Sequence, residues 1–268
     1  MQKKSKLWSI FSKTMIGITM LFFYLPIVYI MIFSFNGSKS LTRLNGFSLQ
    51  WYEKVFNPDN GYLDSIWVTI SIAFLATLIS TVLGTITAIG LSKSGKMLRS
   101  TVERVNELPV MNPDIVTGIS LLMLFSAVSF IPKGFGTMLV AHIMFCTPFV
   151  ILSIMPKLRT LDPNLTDAAL DLGCTPMQAM YKVIIPQIIP GIIAGALIAF
   201  TMSFDDFVIS YFVTGDGVQN ISILVYALTK RINPSINALS TLVILIILLI
   251  LIIINVISLK LSKSKTQS

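Results

Sequence analysis

The stretch Asp167-Ala168-Ala169-Leu170-Asp171-Leu172-Gly173, residues 167–173, is a polar insert in a chain that is otherwise strongly apolar. Just before it, Asp162 can cap a helix whose first residue is Pro163, since proline tolerates the first helical position. Gly173 can end this helix because glycine adopts the left-handed conformation at little cost. The sequence therefore predicts a first helix of about two and a half turns.

A second helix is predicted to follow directly. Thr175 and Gln178 have the spacing of a capping box, with Pro176 just after the cap. Pro186 marks the point at which the chain enters the next apolar segment. The result is a compact helix, glycine, helix arrangement over residues 163–186, which we call the elbow. We interpret it as a docking element for a soluble partner.

The composition places the chain in a lipid bilayer. Of its 268 residues, 54% are hydrophobic and only 12% are charged, with a mean hydropathy of +0.82. That leaves too little polar surface for a soluble globule. Since roughly 20 apolar residues cross about 30 Å of hydrocarbon, we predict an all-α polytopic membrane protein with one transmembrane domain over residues 1–268. The six predicted spans are 14–35, 65–91, 109–131, 138–155, 188–213 and 238–259, with the loop 156–186 between the fourth and the fifth.

The net charge of +8 is distributed unevenly across this topology. Most Lys and Arg residues, including Lys3 and Lys4, fall on the elbow side. Because cytoplasmic loops are enriched in basic residues, both termini and the elbow are predicted to be cytoplasmic. This one-sided distribution disfavours a nucleic-acid-binding patch, so no nucleic-acid partner is expected. The basic residues on the opposite side are Lys39, Arg43, Lys54, Lys133, Lys230 and Arg231.

Carboxylates occur at two depths inside the apolar runs. Asp205 and Asp206 lie within the fifth span, where an isolated carboxylate costs about 2.5–3.5 kcal/mol. Successive helical residues point about 100° apart, so one of the pair is expected to face a pore and the other a neighbouring helix. Asp114 lies near the inner end of the third span. Because neither span contains Lys or Arg, the acids favour a cationic solute.

Simpler interpretations remain open for the same residues. Asp114 can cap a helix, and Asp205 with Asp206 can form an interfacial pair that reaches the outer water. Trp51 lies in the longest outward loop, residues 36–64. The alternatives for this loop are an interfacial helix, a surface for an external binding protein, or an aromatic contact for a cation.

Other polar and small residues inside the spans are assigned to packing. His142 is favoured as an interhelical hydrogen-bonding residue over a proton relay. Cys146 lies in a span and Cys174 in the elbow, so no disulfide is expected. Small residues at four-residue spacing let helix backbones approach closely, although spacing does not say whether the facing helix belongs to this chain or to another subunit. They are Gly84 and Ala88 in the second span and Gly191, Gly195 and Ala199 in the fifth.

No catalytic or metal-binding constellation is found in the sequence. A phosphate-binding loop ending in Gly-Lys-Ser/Thr, a zinc-protease motif and four-ligand metal spacing are all missing, and His142 is the single histidine. The chain is therefore predicted not to be an enzyme and to hold no metal or cofactor of its own. Energy for uphill transport would have to come from another protein.

The elbow resembles the EAA loop of permeases from binding-protein-dependent ABC importers. That loop has an acidic residue and two alanines, a glycine four residues on, and a terminal proline, which here are Asp167, Ala168 with Ala169, Gly173 and Pro186. Asp167 stands where the family usually has Glu. Nearly the whole chain is similar to spermidine/putrescine permeases of PotC type, on stretches that include 111–116, 142–150 and 203–215.

This resemblance implies a type I ABC importer permease (MetI-like) fold with six transmembrane helices and a cytoplasmic coupling helix, in the bacterial cytoplasmic membrane. It implies a second permease subunit, two ATPase subunits that bind ATP and Mg, and an external polyamine-binding protein, with lipid around the spans. The residues expected to couple to the ATPase are Asp167, Ala168, Ala169, Leu170, Gly173, Pro176 and Pro186. The residues expected to line a path for spermidine or putrescine are Asp205, Asp206, Asp114 and Trp51.

Two other functions remain open at this point. A permease for another small solute would share the elbow, because anion, metal and thiamine importers have it too. A secondary transporter driven by an ion gradient would need no ATPase, and it gives no reason for the capped elbow.

Overall fold

Helices make up nearly all of the secondary structure. The computed structural model describes residues 6–40, 42–128, 132–215, 217–229 and 233–265. Within these ranges the backbone forms twelve α-helices and no β-strand beyond an isolated bridge. The predicted all-α class is confirmed. Four of the basic residues used for topology, Lys3, Lys4, Lys230 and Arg231, and the end of the third predicted span, 129–131, lie outside the described residues.

The helix bounds follow the apolar runs and the breaks between them. Met180–Ile184 is π-helical and Pro58–Asn60 is a single 3₁₀ turn. The α-helices are α1 Lys6–Phe33, α2 Gln50–Phe56, α3 Tyr62–Lys93, α4 Lys96–Met111, α5 Asp114–Ala127, α6 Phe135–Arg159, α7 Leu165–Asp171, α8 Pro176–Ala179, α9 Ile185–Asp205, α10 Val208–Val213, α11 Ile221–Thr229 and α12 Ser235–Lys265.

Several helices are long and apolar enough to cross a membrane. In the part of the chain that the structure describes, four meet this condition, namely Phe11–Phe33, Tyr62–Lys93, Phe135–Arg159 and Pro176–Asp205. A fifth is added if α4 and α5 are taken together as one bent span, and α12 contains a shorter apolar stretch, Ser235–Leu249. The predicted count of six spans is compatible with these helices and stays a prediction.

The third predicted span, 109–131, is not one continuous helix. α4 ends at Met111 and α5 begins at Asp114, with a bend of 103° between them. The cause is Pro113, which lacks an N–H group and disfavours the helical conformation of the residue before it. Asn112 accordingly has an extended backbone, with ψ of 138°. The span 109–131 therefore stays a prediction, with a break at Pro113 that the sequence analysis did not foresee.

The fifth predicted span, 188–213, is broken as well. α9 ends at Asp205, Asp206 is extended with ψ of 126°, and α10 starts at Val208. At its other end this helix is longer than predicted, because α8, the π-helical segment and α9 form one continuous helix, Pro176–Asp205, of 30 residues. The two acids therefore lie at a helix break, and the prediction that they lie inside a continuous span was wrong.

The chain divides into two compact units. One consists of Met1–Leu63 with Val225–Ser268, and in it α12 packs against both α1 and α2. The other consists of Asp64–Leu224. Its centre is α6, which packs against α4, α9 and α10, while α5 packs against α10. Ile154 of α6 and Ile188 of α9 are both fully buried in this second core.

Glycines let the helices of the second unit approach closely. A Cβ added at Gly84 of α3 would lie 2.7 Å from Cγ1 of Val150 on α6. A Cβ added at Gly195 of α9 would lie 3.1 Å from the Val150 Cα. The predicted close packing at these two glycines is confirmed, and the helix that faces both of them is α6 of the same chain. Ala88 and Ala199 are also fully buried.

We expect Gly84→Ala to destabilise the chain and Gly90→Ala, on the same helix, to leave it as stable or more stable. The added methyl at residue 84 must displace Val150, and overpacking costs about 1–3 kcal/mol. At residue 90 no atom lies within 4 Å of the added carbon, and alanine favours the helix by up to about 1 kcal/mol. Thermal unfolding of the purified variants in detergent measures the difference. Equal midpoints for the two variants would contradict the close contact between α3 and α6.

Candidate functional site

Asp206 holds the break between α9 and α10 in place. Its carboxylate accepts a hydrogen bond from the Ile209 backbone N–H at 3.2 Å and another from the Ser210 N–H at 2.7 Å. The side chain is only 7% exposed. A carboxylate in this position satisfies free amide groups in the first turn of α10 and complements the positive end of the helix dipole. Asp206 thus serves as the cap of α10.

His142 of α6 joins the two sides of this break. Its Nδ1 lies 2.6 Å from the Ser203 Oγ on α9, and its Nε2 lies 2.9 Å from the Ser210 Oγ on α10. The same Nε2 is 3.5 Å from Oδ2 of Asp206. All of these side chains are buried. The prediction that His142 makes interhelical hydrogen bonds is confirmed.

Asn220 completes the network from the segment that leads into α11. Its amide nitrogen donates to the Ser210 Oγ at 2.9 Å and to the Asp206 backbone carbonyl at 3.1 Å. Its amide oxygen accepts from the Ile223 N–H at 2.9 Å. A buried amide with several partners fixes the conformation of the chain around it, because leaving any of those groups unpaired is costly.

Sequence reasoning missed Asn220, Ser203 and Ser210. Each is a polar residue within or beside an apolar run, which is a signal that could have flagged them. No spacing rule, however, connects residue 142 with residues 203, 210 and 220, because the contacts depend on how α6, α9 and α10 pack.

Asp205 differs from its neighbour in being exposed. Its side chain has no hydrogen bond or ion pair with the described residues, and Asp205 is the last residue of α9. The carbonyl groups of a final helical turn lack helical partners and carry partial negative charge, so they add to the field of this carboxylate. The two acids therefore differ in burial, and the expectation that one of them faces a pore stays a prediction. Asp205 is the more exposed member of the pair.

Asp114 lies in the first turn of α5, directly after the Pro113 break, and its side chain is exposed. One turn later, Gly118 allows α5 to lie against α10, since a Cβ at this glycine would be 2.8 Å from Cδ2 of Phe212. α5 therefore packs on the helix that Asp206 caps, and no contact joins Asp114 to either of the other two acids in the described structure.

Trp51 lies in the other unit and is only 2% exposed. Its indole N–H donates to the Asn36 backbone carbonyl at 2.7 Å, and the Lys54 ammonium lies 4.7 Å from the ring centre. The ring is therefore buried with a lysine over its face, and contact with a solute stays a prediction. The loop contains a helix, α2, Gln50–Phe56, and its position at a membrane interface stays one of the predicted alternatives.

The elbow has the predicted helix, glycine, helix order with shifted bounds. α7 covers Leu165–Asp171 and does not start at Pro163. The reason is that Asp162 accepts a hydrogen bond from the Asn164 N–H at 2.9 Å, forming a turn before the helix. Asp167 and Ala168 are exposed on α7, whereas Ala169 is buried.

Gly173 and Thr175 shape the turn between α7 and α8 as predicted. Gly173 has a φ of 84°, its N–H donates to the Leu170 carbonyl, and the Cys174 N–H donates to the Ala169 carbonyl. This is the Schellman pattern that ends helices at glycine. The Thr175 Oγ1 accepts from the Gln178 N–H at 3.3 Å, while the Gln178 Oε1 accepts from the Thr175 N–H at 3.1 Å, so the capping box is confirmed.

Proline explains the π-helical segment that follows α8. Pro186 has no N–H group to donate to the carbonyl four residues earlier, at Lys182, and its ring crowds that carbonyl. The segment Met180–Ile184 widens accordingly, and the Ile185 N–H donates to the Met180 carbonyl instead. The helix continues through this widening, so the elbow and Asp205 lie at the two ends of one helix.

The outer surface of the elbow is unusually apolar. Leu172 is 87% exposed, and other large apolar side chains nearby are exposed too. Exposed apolar groups clustered on a short rigid element mark an interaction surface. The other members of this cluster are Leu170, Met177 and Tyr181.

In the described residues no group of three or more His, Cys, Asp or Glu side chains could hold a metal ion.

Residues 80–266 match the family described as the binding-protein-dependent transport system inner membrane component. The chain belongs to this family. It is therefore a multi-pass membrane protein and a transport subunit, as expected from its apolar helices and its elbow.

Named relatives are similar over most of their length. The chain is 37% identical over 230 residues to the putrescine transport system permease protein PotI of Escherichia coli (strain K12), covering 83% of this chain and 82% of the relative. It is 35% identical over 224 residues to the spermidine/putrescine transport system permease protein PotC of Haemophilus influenzae, covering 83% and 86%. It is 30% identical over 257 residues to the PotC homolog of Mycoplasma pneumoniae, covering 90% and 87%.

Solved structures with the same fold come from ABC transporters. A chain of a bacterial transporter that imports the acidic polysaccharide alginate is 15% identical with a TM-score of 0.65, covering 96% of this chain and 98% of that one. A chain of the MetNI methionine transporter is 20% identical with a TM-score of 0.59, covering 72% and 91%. The predicted MetI-like fold is confirmed.

We expect Asp206→Ala to destabilise the chain while Asp205→Ala leaves its stability unchanged. Loss of a helix cap costs about 0.5–2 kcal/mol, and the freed amides of Ile209 and Ser210 would lie in a buried place. Asp205 makes no bond that stabilises the fold within the described residues. Thermal unfolding of both variants in detergent gives the comparison. Equal loss of stability in the two would contradict the assignment of one acid as cap and the other as free.

Proposed function

We propose that the chain is the permease subunit of an ATP-driven ABC importer and forms the path for a polyamine, spermidine or putrescine, across the bacterial cytoplasmic membrane. The observation that carries this proposal is Asp205, an exposed carboxylate at the end of a helix that is interrupted next to an apolar run. The names of the relatives point to the same class of solute.

A polyamine suits the chemistry around Asp205. Its ammonium groups pair with carboxylates and with the carbonyl end of a helix, and its methylene runs favour apolar surfaces. Aromatic rings lie on both helices that meet at the break. Phe200 stacks on Phe204 at 5.8 Å between ring centres on α9, and the Tyr211 ring is exposed on α10. Such rings attract ammonium groups by cation–π contact.

The roles of the other predicted path residues follow from their surroundings. Asp206 acts indirectly in this proposal, because its carboxylate is occupied as a cap and orients the break. Asp114 is a second exposed carboxylate at another helix break and a candidate for a later position on the path. Trp51 is left out of the proposed path because it is buried against the loop that it stabilises.

The proposed partner for the elbow is an ATPase subunit on the cytoplasmic side, where ATP and Mg would bind. The predicted coupling residues are Asp167, Ala168, Ala169, Leu170, Gly173, Pro176 and Pro186, of which Ala169 is buried behind the others. The proposed docking surface adds to them the exposed apolar side chains of Leu172, Met177 and Tyr181. Pro176–Asp205 is one helix, about 45 Å long. When the ATPase displaces the elbow, this helix would therefore move as a unit and carry Asp205 with it. ATP binding would bias two conformations of the path through this contact.

The complete importer would contain this chain, a second permease subunit, two ATPase subunits and an external polyamine-binding protein. Both termini and the elbow would lie in the cytoplasm, as the distribution of basic residues predicts. The two other functions make different predictions. An importer of another solute would not be inhibited by polyamines, and a gradient-driven transporter would work without an ATPase.

We expect Asp205→Asn to lower ATP-dependent spermidine uptake by about tenfold, because a hydrogen bond to a charged group contributes about 1.5–3 kcal/mol. The measurement is the initial rate of uptake of labelled spermidine by cells or vesicles with the variant. Asp59→Asn serves as the control, since Asp59 is an exposed carboxylate in the outward loop. Full uptake by Asp205→Asn at normal protein level would rule out Asp205 as a solute contact.

We also expect Leu172→Asp to abolish co-purification of an ATPase subunit, because a charge would be buried in an apolar contact. Met97→Asp is a closely matched control. Met97 is 86% exposed, against 87% for Leu172, and it lies at the start of α4 outside the elbow. Retention of the ATPase by Leu172→Asp, or its loss in both variants, would contradict the proposed docking surface.

A further inference from the structure

A cavity of about 370 Å³ lies within the second unit, where the end of α3, the start of α4, the end of α6 and the elbow meet. Three basic side chains line it, Lys93 from α3, Arg99 from α4 and Arg159 from α6. Three cations from three helices repel one another unless anions lie between them. The proposed solute path gives this cavity no role.

Two carboxylates of the protein, Glu103 and Asp162, partly compensate this charge. Glu103 accepts from the Arg99 Nε at 3.0 Å and from the Arg159 Nη2 at 2.7 Å. The hydrogen bond from Arg159, more than that from Arg99, holds the pKa of the Glu103 carboxyl below its ordinary value, so this carboxylate is ionised at neutral pH. Asp162 also lines the cavity, and it accepts from the Asn164 N–H. Lys93 has no carboxylate partner among the described residues, and a net positive charge remains.

The rest of the lining is mainly apolar. Ile89, Leu158 and Leu161 form walls beside the cations, and Thr166 contributes a hydroxyl group. A free inorganic anion would gain nothing from the apolar walls, whereas an amphiphile with a phosphate head and a hydrocarbon part matches both kinds of surface. The cavity also lies where α3 and α6 end, at Lys93 and Arg159. This is the depth at which membrane spans give way to polar head groups.

We propose that this cavity binds the head group of an anionic phospholipid, such as phosphatidylglycerol. The proposal rests on the cytoplasmic orientation of the elbow in the proposed function, because basic pockets between helices on that side of a membrane bind anionic lipids. The occupant would touch the ends of the spans and, through Asp162, Thr166 and Ile184, both sides of the elbow. The bound lipid would thereby link the spans to the coupling element.

The test uses the full-length chain in nanodiscs of phosphatidylcholine with about one phosphatidylglycerol in five. A photoactivatable phosphatidylglycerol is crosslinked, and the labelled peptides are mapped by mass spectrometry. We expect label on peptides that contain Ile89, Leu158 or Leu161. Unlabelled phosphatidylglycerol should compete for the site, whereas inorganic phosphate should not.

Variants at the cavity make this test specific. We expect Lys93→Gln to weaken labelling about fivefold, which corresponds to about 1 kcal/mol for one basic side chain. Lys93→Arg should keep it, because the charge is preserved. Lys96→Gln is the matched control, since Lys96 is exposed at the start of α4 and does not line the cavity.

Three results would overturn the proposal. Competition by inorganic phosphate would identify a site for a soluble anion. Equal labelling of the wild type and Lys93→Gln would identify lipid that surrounds the spans without a specific site, and no labelling of these peptides would exclude lipid from the cavity. None of the measurements uses a polyamine or ATP, so their failure is distinguishable from failure of the proposed transport function.

Discussion

The structure depends on hydrogen-bond partners for the backbone N–H and C=O groups that lose their helical partners where a membrane helix breaks. Lipid offers no hydrogen bonds, and each unsatisfied group costs several kcal/mol. At the break between α9 and α10, Asp206 takes the amides of Ile209 and Ser210, and Asn220 donates to the Asp206 carbonyl. His142 fixes the serines on both sides. Without these contacts the two helices would have no defined end and start.

This arrangement separates two acids that are adjacent in sequence. Asp206 accepts hydrogen bonds from the backbone of α10 and so stabilises the fold. Asp205 lies at the negative end of α9, and no cationic group of the described structure pairs with its carboxylate. The same helix begins at Pro176 in the elbow. One helix therefore joins the elbow to Asp205, and the glycines of α9 lie against α6.

Local signals in the sequence predicted much of this structure. Gly173 and the Thr175–Gln178 pair gave the turn of the elbow, because helix caps depend on residues a few positions apart. The small residues at four-residue spacing predicted the close helix packing, because this spacing is also a local pattern. The breaks at Pro113 and Asp206 were missed, since the predicted spans were drawn through the polar residues 112–114 and 205–206 to reach the length of a membrane crossing. The burial of Trp51 and the role of Asn220 depend on contacts between residues far apart in sequence, which no local pattern encodes.

The most direct test is uptake of spermidine by proteoliposomes that contain the chain with its co-purified subunits. ATP would be supplied on the side of the elbow, and a membrane potential without ATP would serve as the comparison. If the elbow receives the energy of ATP hydrolysis and α9 carries its movement to the proposed solute contact at Asp205, uptake should require both ATP and an ATPase subunit. Uptake at the same rate without either would contradict this mechanism.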